Sequence, residues 1–232
     1  MQKFLTVLPL FIAAGVHAQT TTDEVTDEAP DLFARDGYRI DTLVCPFKER
    51  IEYEPGEIEC GLLQVPENRE DPNSRFIELH FIKLTSTWDD EEEDEDDEED
   101  SGLEPGKRDD PVIYLTGGPG APAEYYVGRF KDHGIRKHRD LYILEQRGIV
   151  NSGDFCETYY SRNPAVRNVD SLAKSAEASR ISAEECARNA MAAGVDITAY
   201  NTIENARDVK ALRIALGLDK WNVWGISYGT LL

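Results

Sequence analysis

Two early segments carry the apolar and β-branched enrichment of a pleated, half-buried surface: 58–65 (IECGLLQV) and 76–84 (FIELHFIKL). Between them Pro66-Glu67-Asn68 and Asp71-Pro72-Asn73-Ser74 supply turn chemistry, which predicts a β-hairpin or meander. His80 lies inside the second strand and reads as a half-exposed strand residue rather than a catalyst. Farther along the pattern changes to short, wholly apolar runs. Residues 111–115 (PVIYL), 141–144 (LYIL) and 221–225 (WNVWG) read as buried parallel strands.

Helical patterns separate these runs, near 123–132, over 171–193 and from Asn201 onward. The last is well punctuated. Asn201 can cap it, Glu204 completes a capping box, and Gly217 is placed to end it. Ile203, Ala206, Val209, Leu212 and Leu216 give it one apolar face. Strand, loop, helix and strand in succession predict an α/β fold with right-handed crossovers. No internal repeat is visible.

Residues 1–18 have a positive start at Lys3, an apolar run and a small-x-small site at Val16-His17-Ala18, the pattern of a signal peptide for export. That run is short for a membrane span, which needs about 20 residues. The expectation is no membrane association after cleavage. Residues 19–40 read as a disordered acidic tail, and 41–232 as the folded part. The formal charge is −20, but 89–100 is an unbroken acidic run, and without it the charge is −8. Such a run repels itself, so a disordered acidic insertion is expected at about 88–110. The acidity argues against nucleic-acid binding, which needs a basic footprint. Four cysteines allow three pairings, of which Cys45–Cys60 with Cys156–Cys186 closes short local loops; four free thiols are the other reading. No Cys–His spacing resembles a metal site, and no cofactor motif is present.

The chemistry concentrates at Gly225-Ile226-Ser227-Tyr228-Gly229, a G-x-S-x-G nucleophile elbow directly after a buried-strand pattern. A serine hydroxyl must be exposed, positioned and deprotonated on demand. A sharp strand-to-helix turn does the first two, and Gly225 and Gly229 remove the crowding it creates. A second glycine-rich turn, Gly117-Gly118-Pro119-Gly120, also follows a strand, where the partner oxyanion donor of such an elbow lies.

Three blocks carry a family resemblance: 115–120 (LTGGPG), 145–152 (EQRGIVNS) and 221–230 (WNVWGISYGT). The chain resembles α/β-hydrolases of the proline iminopeptidase type, in their secreted tripeptidyl-aminopeptidase-like branch, whose blocks read HGGPG and DQRGxGxS. The two cysteine pairs also resemble those of that branch. Thr116, Glu145 and Val150 depart from the family's His, Asp and Gly, and Arg147 is retained with a structural role. The resemblance implies Ser227 as nucleophile, with backbone N–H groups of Tyr228 and of Gly117 or Gly118 as oxyanion hole. It implies a mostly parallel sheet with flanking helices, truncated just after the elbow, because the triad's acid and histidine follow Ser in this fold. The expectation is a secreted serine aminopeptidase acting on peptide substrates, with this chain inactive by itself. An esterase or lipase on the same fold, and a non-catalytic interaction protein, stay open. The sequence carries no reading of the oligomeric state.

Overall fold

Pairing of the two apolar-rich segments organises the sheet. In the structure, a computed structural model describing residues 32–35, 37–89, 106–153, 155–156 and 171–232, they form β3 (Ile58–Pro66) and β4 (Phe76–Leu84), antiparallel from Ile58↔Leu84 to Pro66↔Phe76. The other strands are β1 (Leu32–Arg35), β2 (Tyr38–Leu43), β5 (Val112–Leu115), β6 (Leu141–Leu144) and β7 (Asn222–Gly225). The seven lie in the order β1-β2-β3-β4-β6-β5-β7. The described residues also form α1 (Val127–Phe130), α2 (Leu172–Ala192) and α3 (Thr202–Ala215), with short 3-10 turns at Ala123–Tyr126, Gly134–Arg136, Ile197–Ala199 and Ser227–Leu231.

The class is α/β, but the sheet is mixed rather than mostly parallel. Hairpin connections make β1 through β4 antiparallel, and β4 pairs antiparallel with β6. Only β6, β5 and β7 run parallel. Those three are the short, wholly apolar runs, and every residue of β5 and β6 is buried. That follows from cover on both faces. One core cluster joins Ile82, Leu84, Tyr114 and Ile143 to Val127 and Phe130. The other joins Leu79, Phe81, Ile113 and Leu144 to Ala211, Leu212 and Ala215 of α3.

Several expectations shift. The reading of a disordered tail to residue 40 is corrected, because β1 and β2 occupy 32–35 and 38–43 and Ile40 is buried against the second cluster. The helical stretch near 123–132 is a 3-10 turn followed by a single α-turn. His80 is fully buried, not half-exposed, because β4 has β3 and β6 on its two edges and packed layers on both faces. The signal segment 1–18, most of the tail and residues 90–105 of the acidic insertion lie outside the described residues. No helix among the described residues is long and apolar enough to cross a membrane. Cys45 is bonded to Cys60 and Cys156 to Cys186, with Cα atoms 5.2 and 5.5 Å apart.

Helix α3 follows its punctuation closely: Asn201 Oδ1 accepts the Glu204 N–H at 3.0 Å, and Gly217 stands at φ +70° beyond its end. Its buried face is only partly the apolar one read from the sequence: Leu212 is buried and Val209 and Leu216 pack against the second cluster. Ile203 is 66% exposed, while Glu204, Asn205, Asp208, Ala211, Leu212 and Ala215 turn inward. The charges can face inward because Arg69 and Arg147 meet them there.

Candidate active site

The carboxyl ends of β6, β5 and β7 open on one side, because the three strands are parallel. The chain leaves β5 for β6 on one flank and returns to β7 on the other. That reversal makes a crevice at the strand ends, the place where open α/β sheets bind ligands.

At the end of β7 the chain turns sharply into the Ser227–Leu231 turn, and Ser227 takes φ +53°. This left-handed conformation is uncommon for a residue with a side chain and concentrates at functional sites. The flanking glycines are demanded by space. A Cβ on Gly225 would stand 2.5 Å from the Gly229 carbonyl oxygen, and one on Gly229 would run into the Leu115 carbonyl of β5. The elbow is thus pressed against the neighbouring strand. Tyr228 is anchored through its hydroxyl, 2.9 Å from Thr202 Oγ1 at the start of α3.

The turn after β5 reaches the same point. A Cβ on Gly117 would lie 3.0 Å from Ser227 Cβ and 3.5 Å from Ser227 Oγ, so only glycine lets the backbone come this close. Gly118 and Gly120 stand at φ +112° and +97°. Among the described residues, none accepts a hydrogen bond from the backbone N–H of Gly117, Gly118 or Tyr228. The fold therefore brings Ser227, Gly117 and the Tyr228 backbone together from two strands.

The block after β6 sends three consecutive side chains three ways. Glu145 is buried and accepts the Ala123 N–H at 3.1 Å on one oxygen and the Asn151 N–H at 2.8 Å on the other. Gln146 donates from Nε2 to the Thr116 carbonyl at 3.0 Å and to its hydroxyl at 3.1 Å. Arg147 grips Asp208 of α3 at 2.7 and 2.8 Å and also donates to the carbonyls of Glu67 and Ala199. Thr116, where the resembled family has histidine, thus holds its turn through Gln146. Val150, where that family has glycine, keeps a left-handed φ of +29°.

Burial pushes Glu145 up from the ordinary carboxylate range to about 7, against the two N–H bonds that favour its charge. Burial also pushes Asp208 up, opposed by Arg147 and Arg69. It holds His80 down to about 4, and neither ring nitrogen has a hydrogen-bond partner among the described residues.

None of the described histidines serves Ser227. His80 is buried in β4. His133 Nδ1 accepts the Ile135 N–H and its ring packs 5.8 Å from that of Trp224. His138 lies 3.1 Å from the Gly106 carbonyl and tilts against Trp88. Of the residues named from the sequence, Ser227, Tyr228, Gly225, Gly229, Gly117 and Gly118 meet at one place. Glu145, Gln146, Thr202 and Asp208 were not singled out as site-supporting residues. The place of EQRG at a strand end and in the resembled 145–152 block pointed toward the first two.

No family model matches the chain. Two curated proteins are similar to it, the tripeptidyl aminopeptidases of Streptomyces lividans and Streptomyces coelicolor. Each is 26% identical over 187 residues, which is 77% of this chain and 32% of the relative. The chain thus spans about a third of the length of the curated relatives it matches.

Proposed function

We propose that this chain carries the nucleophile half of an exported serine peptidase that removes residues from peptide N-termini. The observation that supports this best is the seating of Gly117 against Ser227, whose own backbone stands at φ +53°. In this reading the fold is that of an α/β-hydrolase and Ser227 Oγ attacks the scissile carbonyl. The N–H groups of Tyr228 and of Gly117 or Gly118 receive the oxyanion, a contribution of about 3–4 kcal/mol per donor in enzymes of this kind. Collapse expels the amine and leaves an acyl-serine, which water then hydrolyses. The similarity to tripeptidyl aminopeptidases favours a peptide substrate over an ester.

A general base and its acid partner are required, and we assign them to length that the relatives have beyond the matched third, in the chain order Ser, Asp/Glu, His that this elbow uses. The test uses the naturally encoded protein. A fluorophosphonate is expected to label Ser227, and Ser227→Ala to abolish both labelling and tripeptide release from a tripeptidyl-naphthylamide. Labelling at another residue overturns the assignment. Turnover of a p-nitrophenyl ester with no tripeptide release identifies an esterase instead. The 232-residue chain alone is expected to hydrolyse aminoacyl-naphthylamides little or not at all. Clear turnover overturns the placement of base and acid outside it.

A further inference from the structure

The carboxylate of Glu145 joins two loops. Ala123, three residues past the 117–120 turn, donates to Oε1, and Asn151, in the loop after Gly148, donates to Oε2. The two loops also meet at Gly120, where a Cβ would stand 3.3 Å from Ile149 Cδ1. Glu145 is itself fixed at its backbone: its N–H donates to the His80 carbonyl, and its carbonyl accepts from Ser152 Oγ. The side chain is fully buried, and among the described residues no lysine or arginine is hydrogen-bonded to it.

We infer that Glu145 is a positioning residue for the 117–120 turn, a clasp that closes both loops around Gly120 when ionised and releases one of them when protonated. Describing that turn as an oxyanion turn rests on the hydrolase reading; the clasp itself rests on the two N–H bonds. The physical reason is an acceptor count. An ionised carboxylate offers both oxygens to donors, whereas a protonated one turns one oxygen into an O–H donor. That oxygen then faces another N–H, and one of the two bonds weakens.

The charged and titratable groups facing Glu145 are few. His80 lies on β4, with its ring held neutral well into acid. Glu124, on the 3-10 turn, raises Glu145 further, and its own carboxylate is engaged by Arg50 at 2.8 Å. Burial is the larger influence and leaves the clasp half-ionised near pH 7. The turn beside Ser227 is therefore held above neutrality and loosened below it.

The experiment follows amide resonances of the 232-residue chain between pH 5 and 9. Ala123 and Asn151 are expected to move together as the pH falls, with one midpoint near 7, and Gly117 and Gly118 to follow them. Glu145→Gln is expected to erase that titration. Ala123 and Asn151 amides that titrate separately, or not at all, overturn the clasp, as does a midpoint near 7 that survives in Glu145→Gln. The wild-type curve decides alone if the variant does not fold. A coupled titration in a protein whose Ser227 takes no fluorophosphonate supports the clasp while removing the hydrolase reading. In the naturally encoded enzyme, Glu145→Gln is expected to lower kcat about tenfold with KM unchanged, the signature of an interaction used in the transition state.

Discussion

The turn at 225–229 and the turn at 117–120 meet at Ser227, yet the first is held by its own backbone and the second by side chains from another strand. Gly225 fits because a Cβ there would meet the Gly229 carbonyl, and Gly229 because a Cβ there would meet the Leu115 carbonyl of β5. The 117–120 turn depends instead on Gln146 at Thr116 and on Glu145 at Ala123. A turn made by exclusion tolerates no added atom. A turn made by polar contacts tolerates neighbours and answers to protonation. The EQRG block serves the second kind, and Arg147 extends the same support to α3, whose first residue anchors Tyr228.

The largest expected effect tests whether α3 is held by that block. Arg147→Met leaves Asp208 with Arg69 alone and removes the donor to two buried carbonyls. A loss of about 3 kcal/mol is expected, since buried Asp208 keeps one guanidinium in place of two and two buried carbonyls lose their donor. Urea unfolding measures it, and a loss below 1 kcal/mol would remove Arg147 from the account.

Gly229→Ala attacks the backbone-held turn. The new Cβ meets main chain that cannot rotate away, so a cost of about 3 kcal/mol is expected, with the Leu115–Thr116 peptide displaced and the Ala123 and Asn151 amides unmoved. Equal disturbance of both turns would erase the distinction between them.

A smaller effect appears only with pH. Burial holds His80 at about 4 against an ordinary 6.5, so the unfolded chain takes up that proton first. Its stabilisation is complete above pH 6.5 and is lost as the pH falls toward 4. Glu145 acts in the opposite sense, being raised from 4.5 to about 7: its contribution is complete below pH 4.5 and lost as the pH rises through 7. His80→Leu is expected to gain about 2 kcal/mol at pH 5 and little at pH 8. The remaining slope, falling from pH 5 to 7, then belongs to Glu145. Unfolding curves at the two pH values check both, and an unchanged acid limb would show that His80 is solvated in the fold.

Gln146→Leu is the mildest. It strips two hydrogen bonds from buried Thr116 at an expected cost of about 1–2 kcal/mol. Its amide perturbations should map to 116–118 and spare Tyr228. Perturbation centred on Tyr228 would contradict separate support for the two turns.

The strands were legible wherever the pattern was local. Residues 76–84 and 141–144 match β4 and β6 end to end, and the Asn201 cap is where the sequence puts it. Gly225 is constrained within its own short turn, by the Gly229 carbonyl, whereas the demand on Gly229 comes from Leu115 of β5. The inward face of α3 was legible in part. Val209, Leu212 and Leu216 of its apolar stripe meet the core, but the burial of Asp208 depends on Arg147, 61 positions away. The role of Glu145 was hidden likewise, because Ala123 lies 22 residues before it.

The sequence by itself marked β3 to β7, the cap and end of α3 and the two glycine-bearing turns, because periodicity and turn residues act within a few positions of chain. Only the tertiary structure decided that the sheet is mixed, that His80 is buried, and that three adjacent side chains in EQR support two turns and a helix. Those outcomes depend on which distant groups meet in a low-dielectric interior. There an unpaired charge is too costly to leave, and its partner is fixed by packing rather than by spacing along the chain.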